Sequence, residues 1–173
     1  MKKIFFALNI LLCTSLLSQT TSGGPDNFGY TYKSSAHPTG PTYQWFDITT
    51  IGTIVSGLAD DNFVGPFSMS GFPYYSTNPT QFYVGSNGYI SFQPVNIASS
   101  NAQFPAMPVI GVPDNYIAPF LTDLTFAGNA SNPGIAYYYN QGDTICVTFE
   151  KVPFWTNNTN QYSGDNTFQI ILN

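Results

Sequence analysis

Few side chains in this sequence carry the reactivity that catalysis needs. The only histidine, His37, lies in SSAHPTGP beside Ser34 and Ser35. A hydrolase holds a nucleophile against a base, and neither a second histidine nor a G-x-S-x-G elbow accompanies it. His37 therefore reads as a loop residue. With Cys13 and Cys146 the only cysteines, the usual three or four zinc ligands cannot be assembled either. Nothing near Cys146, within TICVTFE, would lower a thiol pKa, so it reads as a small strand residue. A glycosidase would need two carboxylates roughly 5 to 9.5 Å apart. Asp123 and Glu150 sit on predicted strands, but no motif ties them together, and we expect no enzyme.

Binding chemistry has better candidates. Asp60, Asp61 and Asn62 cluster hard oxygen ligands ahead of Gly65-Pro66, and calcium takes six to eight such oxygens. Calcium is thus the one candidate cofactor; the competing reading is a turn in which these side chains satisfy backbone amides. Exposed aromatic rings stack on sugars while neighbouring amides and carboxylates read hydroxyls. Trp45, Trp155, Tyr137 and Tyr139 are the candidates for glycan stacking, with Tyr74 and Tyr75 further possibilities, set against ordinary core packing. In a strand, Tyr137 and Tyr139 share one face and Tyr138 takes the other. Asn129-Ala130-Ser131 and Asn157-Asn158-Thr159 fit the N-glycosylation pattern, and Asp143-Thr144-Ile145 resembles an O-glycosylation acceptor that a turn-to-strand junction explains equally well.

The elements that must hold these residues follow from the chain as a whole. MKKIFFALNILLCTSLLSQ has a basic pair, an apolar run and then small polar residues, the layout of a secretory signal peptide over 1–18. The run is short for a membrane span of ~20 residues, so no membrane insertion is expected after cleavage. Cleavage would remove Cys13 and two of the four lysines, leaving Lys33 and Lys151 against nine acids, a net charge of −7. No basic patch remains to neutralise phosphates, which argues against nucleic acid as a partner.

Beyond residue 18 no helical periodicity persists; short alternating runs separated by Gly, Pro and Asn predict an all-β fold, a two-sheet antiparallel β-sandwich. An extended segment over 19–42 precedes the sandwich module over 43–173. Predicted strands are 43–49, 53–58, 66–72, 81–84, 89–92, 116–126 with a break near Pro119, 135–140, 144–152 and 166–173. A proline-rich crossing runs from Gln93 to Asp114. The sequence stops inside the apolar run NTFQIILN, which reads as an incomplete module in a longer reading frame. In QFYVGSNGYISF (81–92), Asn87-Gly88 signals a hairpin turn. A two- or four-residue loop would set Tyr83, Ile90 and Phe92 against Phe82, Val84 and Tyr89, making both faces apolar.

The ordered series DNFGYTYKSS, GPTYQWFDITTIGT, GLADDNFVGPF, QFYVGSNGYISF, FPAMP, YIAPFLTDLTF, NPGIAYYY, VTFEKVPFW and YSGDNTFQIIL resembles the N-terminal module of large surface proteins that Gram-negative bacteria export by the type IX secretion system. Its middle and later parts resemble a nidogen-like β-sandwich, with Leu121 standing where an aromatic is often found. The resemblance implies secretion or display at the cell surface, further domains of the same chain, and no catalytic residues. Together with the residues themselves, it leads us to expect a non-catalytic structural or adhesive module. The alternative is a glycan-binding module accompanying a downstream secreted enzyme. Extracellular glycans or surface proteins are the expected partners.

Overall fold

The computed structural model describes residues 20–97, 104 and 113–173. The expected signal peptide and most of the Gln93–Asp114 crossing lie outside the described residues. The chain divides into two compact units, Met1–Gln44 and Trp45–Asn173. In the first, β1 (Ser22–Gly23) pairs antiparallel with β2 (Tyr32–Lys33), and the Asp26 carboxylate accepts the amides of Phe28 and Tyr30 inside the connecting turn.

The second unit is an all-β sandwich of two four-stranded antiparallel sheets. One sheet is ordered β4 (Phe63–Ser68), β5 (Gln81–Gly85), β6 (Tyr89–Ser91), β7 (Tyr116–Ile117). The other is ordered β10 (Tyr162–Leu172), β9 (Thr144–Trp155), β8 (Ile135–Gln141), β3 (Thr53–Ile54). Among the described residues there is no helix, hence none long and apolar enough to cross a membrane. Between the sheets, Phe82, Val84, Ile90 and Phe92 meet Ala136, Ile145, Val147, Phe149, Ile170 and Leu172 in one buried cluster. Each large side chain buried there contributes about 1.5–3 kcal/mol of burial free energy. The Tyr138 ring crosses to the other sheet, its centroid 4.5 Å from that of Phe67.

The central hairpin differs from the sequence expectation in one respect that reverses a face. Gly85 pairs with Tyr89, Val84 with Ile90 and Tyr83 with Ser91, so the loop is the three residues Ser86, Asn87 and Gly88. Side chains alternate with period two, so an odd loop moves all of β6 to the opposite face from that implied by an even one. Phe82, Val84, Ile90 and Phe92 now share the core, while Tyr83, Tyr89 and Ser91 point outward. That outward face is not wet. The Tyr89 ring lies over Gly85, which has no side chain to obstruct it. Tyr89 packs with Ile97 and Tyr116 in a second buried cluster, its hydroxyl accepting the Ile97 amide at 2.9 Å and donating to the Val95 carbonyl at 3.2 Å. The first residues of the proline-rich crossing therefore cover it.

The other sheet is also covered over part of its outer face. Residues 43–49, predicted as a strand, join no ladder; Trp45–Ile48 instead crosses the sheet as a strap. The Gln169 amide grips it, accepting the Phe46 N–H at 3.2 Å and donating to the Phe46 carbonyl at 2.6 Å and to Thr148 Oγ1 at 2.8 Å. A bulge opposite Thr167 places Lys151 at φ 50° and returns Val152 to the core; a strictly alternating strand would turn it outward. The predicted 116–126 strand keeps only Tyr116–Ile117, and 53–58 only Thr53–Ile54. Gly88 tests the turn most sharply: its φ is 82°, and an added Cβ would run into the Phe120 carbonyl. Gly88→Ala is expected to cost about 2 kcal/mol or more and several degrees of melting temperature. Gly142→Ala, at φ 62° but in open space, should cost only the roughly 1 kcal/mol of left-handed backbone.

Candidate functional site

The acidic turn proposed as a calcium site is knitted into the central hairpin. Asn62 Oδ1 accepts the Ala59 amide at 2.8 Å, and Asn62 Nδ2 donates to the Gly57 carbonyl at 2.8 Å. The Asn62 amide donates to Ser86 Oγ at 3.1 Å while the Ser86 amide returns to the Asn62 carbonyl at 2.9 Å. Asp61 Oδ1 accepts from Asn87 Nδ2 at 2.8 Å, and the Asp61 carbonyl accepts from Asn96 Nδ2 at 2.8 Å. Asn87, 1 % exposed, is the residue that sequence reasoning treated as a turn requirement alone. Its Oδ1 also accepts the Leu124 amide at 3.0 Å, so one buried side chain joins the acidic turn, the hairpin and residues 122–126. Only the Asn-Gly turn signal marked it, and that signal concerns backbone angles.

From there the connection continues to the other sheet. Leu124 bridges Phe154, the Thr125 amide donates to the Pro153 carbonyl at 3.0 Å, and the Trp155 amide donates to the Asp123 carbonyl at 2.9 Å. This arrangement brings three carboxylates into each other's field. Burial pushes the Asp60 carboxyl above its ordinary value, opposed by the Thr125 hydroxyl and reinforced by Asp61. Burial likewise raises Asp123, with repulsion from Asp61 and Asp60 adding to it. Asp60 Oδ1 is shielded from solvent and has no hydrogen-bond partner among the described residues. Even so, among those residues no three His, Cys, Asp or Glu side chains are placed to hold a metal ion. Asp61 Oδ1 and Asn62 Oδ1 are already engaged by the Asn87 side chain and the Ala59 amide.

The candidate stacking residues do not form one platform. Tyr137 and Tyr139 lie opposite Thr148 and Cys146 on the outer face of their sheet, where Phe46 of the strap packs edge-on against Tyr139 at 5.4 Å. Trp155 is nine residues along β9 from Cys146, about 30 Å at ~3.3 Å per residue. Trp155 and Trp45 are 42 % and 38 % exposed. Tyr74 donates to the Tyr116 carbonyl at 3.0 Å. Cys146 is completely buried, and burial raises its thiol pKa. His37 Nδ1 accepts the Thr39 amide at 3.1 Å within the N-terminal unit.

With this geometry established, a family model described as NIDO related matches residues 30–173. The chain belongs to the NIDO-related family. Neither a curated protein nor a solved structure matches it. The NIDO-related match covers the sandwich and supports its nidogen-like character.

In this NIDO-related module the acidic turn makes a sign-specific prediction. Asp60 and Asp123 bind protons more readily folded than unfolded, so protonation favours the fold. Their contribution to stability rises as pH falls through the raised folded values toward the ordinary 3.8. At neutral pH, Asp123→Asn should raise the melting temperature and flatten this acid-side gain. Calcium added to the wild type should leave the melting temperature unchanged. A calcium-dependent rise that Asp123→Asn abolishes would instead identify the turn as a cation site.

Proposed function

We infer that this protein is a non-catalytic module of a larger secreted or surface-displayed protein, with a structural or adhesive role. The NIDO-related match over residues 30–173 carries this reading. The architecture supports it: the strap covers part of one sheet's outer face and the first residues of the crossing cover Tyr89 on the other, as suits a module that must keep its shape outside the cell. The Cys146 thiol is buried in the sandwich, and His37 Nδ1 accepts the Thr39 amide within its own turn. Export by a type IX route is the transport reading consistent with the ordered motifs from DNFGYTYKSS to YSGDNTFQIIL.

Expression of the complete reading frame in a Gram-negative host with that secretion route provides the test. The tagged protein is expected in the medium or on intact cells, where added protease reaches it. Its retention inside the inner membrane would overturn the reading.

A further inference from the structure

Where the short β3 ends, the sandwich opens at one side. β3 pairs only with Tyr137 and Tyr138, so Tyr139, Asn140 and Gln141 continue along β8 without a neighbour on that edge. Across the gap lies the end of β4, another edge strand. A cleft of about 490 Å³ forms between them, lined by Ile51, Thr53, Pro66–Ser68 and Tyr138–Gln141. That volume falls within the usual range for small-ligand sites, ~300–1,000 Å³.

The lining is informative in what it combines. The Phe67 and Tyr138 rings form the apolar part of the lining. Around them stand Thr53, Ser68, Asn140 and Gln141, a set of hydroxyls and amides. None of the nine lining side chains is charged, so neither an anion nor a cation is matched by an opposite charge. The cleft is also held in shape: Asn140 Nδ2 donates to the Ser68 carbonyl at 2.5 Å, and Ser70 Oγ donates to the Gly142 carbonyl at 2.9 Å. These two bonds latch the β8–β9 turn to the opposite sheet. Tyr139 OH donates to Gln141 Oε1 at 3.4 Å, which orients the Gln141 amide so that its Nε2 group remains available to a ligand. Binding to a preformed cleft avoids the cost of ordering one.

We propose that this cleft binds a neutral oligosaccharide, with a sugar face against the Tyr138 ring and hydroxyls read by Gln141, Thr53 and Ser68. An apolar ligand would strand those amides and hydroxyls without partners. A neutral, hydroxyl-rich ligand satisfies both halves of the lining. The proposal deepens the adhesive reading above and rests on it, since it assigns the contact through which an extracellular module would hold a glycan. It also differs from stacking on Trp45 and Trp155, which lie outside the cleft.

The test uses the full 173-residue chain, isotope-labelled, titrated by NMR with cellohexaose, laminarihexaose, mannohexaose and, as the charged comparison, hexagalacturonate. At least one neutral hexasaccharide is expected to shift the resonances of Ser68 and Tyr138–Gln141 saturably, and hexagalacturonate to bind more weakly. Gln141→Ala, an exposed position, should weaken binding roughly fivefold by removing one hydrogen bond without lowering the melting temperature. Thr53→Val should act in the same direction. No saturable shift at the cleft with any neutral probe would overturn the proposal, as would binding unaffected by both substitutions. Either failure leaves surface display intact, whereas an intracellular location refutes the broader reading whatever the sugars do.

Discussion

The fold depends on one buried amide. The Asn87 side chain donates to Asp61 and accepts from the Leu124 backbone, and residues 123–125 then pair with the end of β9 in the opposite sheet. A sandwich is held mainly by apolar burial, which is non-directional; it does not by itself fix how the ends of two sheets meet. A hydrogen-bonded link does. Its cost when broken is high because the Asn87 side chain itself would lose its partners in a buried place, leaving the Leu124 amide only the Thr122 carbonyl at 2.9 Å. The Phe120 carbonyl over Gly88 and the Phe120 ring 5.5 Å from Phe168 close the same junction with packing.

This constraint gives the acidic turn a structural meaning. Asp61 is held by Asn87, Asn62 caps its own loop, and the nearby Asp60 and Asp123 carry the electrostatic strain of partial burial. The turn residues thus serve the joint between sheets, while the other end of the sandwich is left open. There the latch of Asn140 and Ser70 holds a cleft instead of filling it. The two ends divide the work: one locks the sheets, the other presents polar groups and rings to solvent.

Much of the architecture was legible in the sequence, and the exceptions share a cause. The absence of helical periodicity and the alternation in VTF and YYY sufficed for an all-β sandwich, and Asn87-Gly88 located the central turn. The faces of that hairpin were not legible, because they depend on whether the loop is odd or even, and Ser86 belongs to it. The bulge at Lys151 is a backbone event with no distinctive side chain. The strap escaped detection because YQWFDIT alternates like a strand but finds its partner in the Gln169 side chain, 123 residues away from Phe46. Family membership, by contrast, rests on the order of many loose motifs and survives such local errors. The cleft was invisible for the opposite reason: it assembles Thr53, Phe67 and Gln141 from three separate strands, none remarkable alone.

Native-state hydrogen exchange measures the central joint most directly. If the Asn87 link is part of the global fold, the amides of Leu124, Ser86 and Trp155 will exchange only through whole-module unfolding, with the same opening free energy as the amides of β5 and β9. Exchange of Leu124 through a local opening several kcal/mol below that shared value, with β5 and β9 still protected, would show that the sheets stay joined without it and would contradict the account.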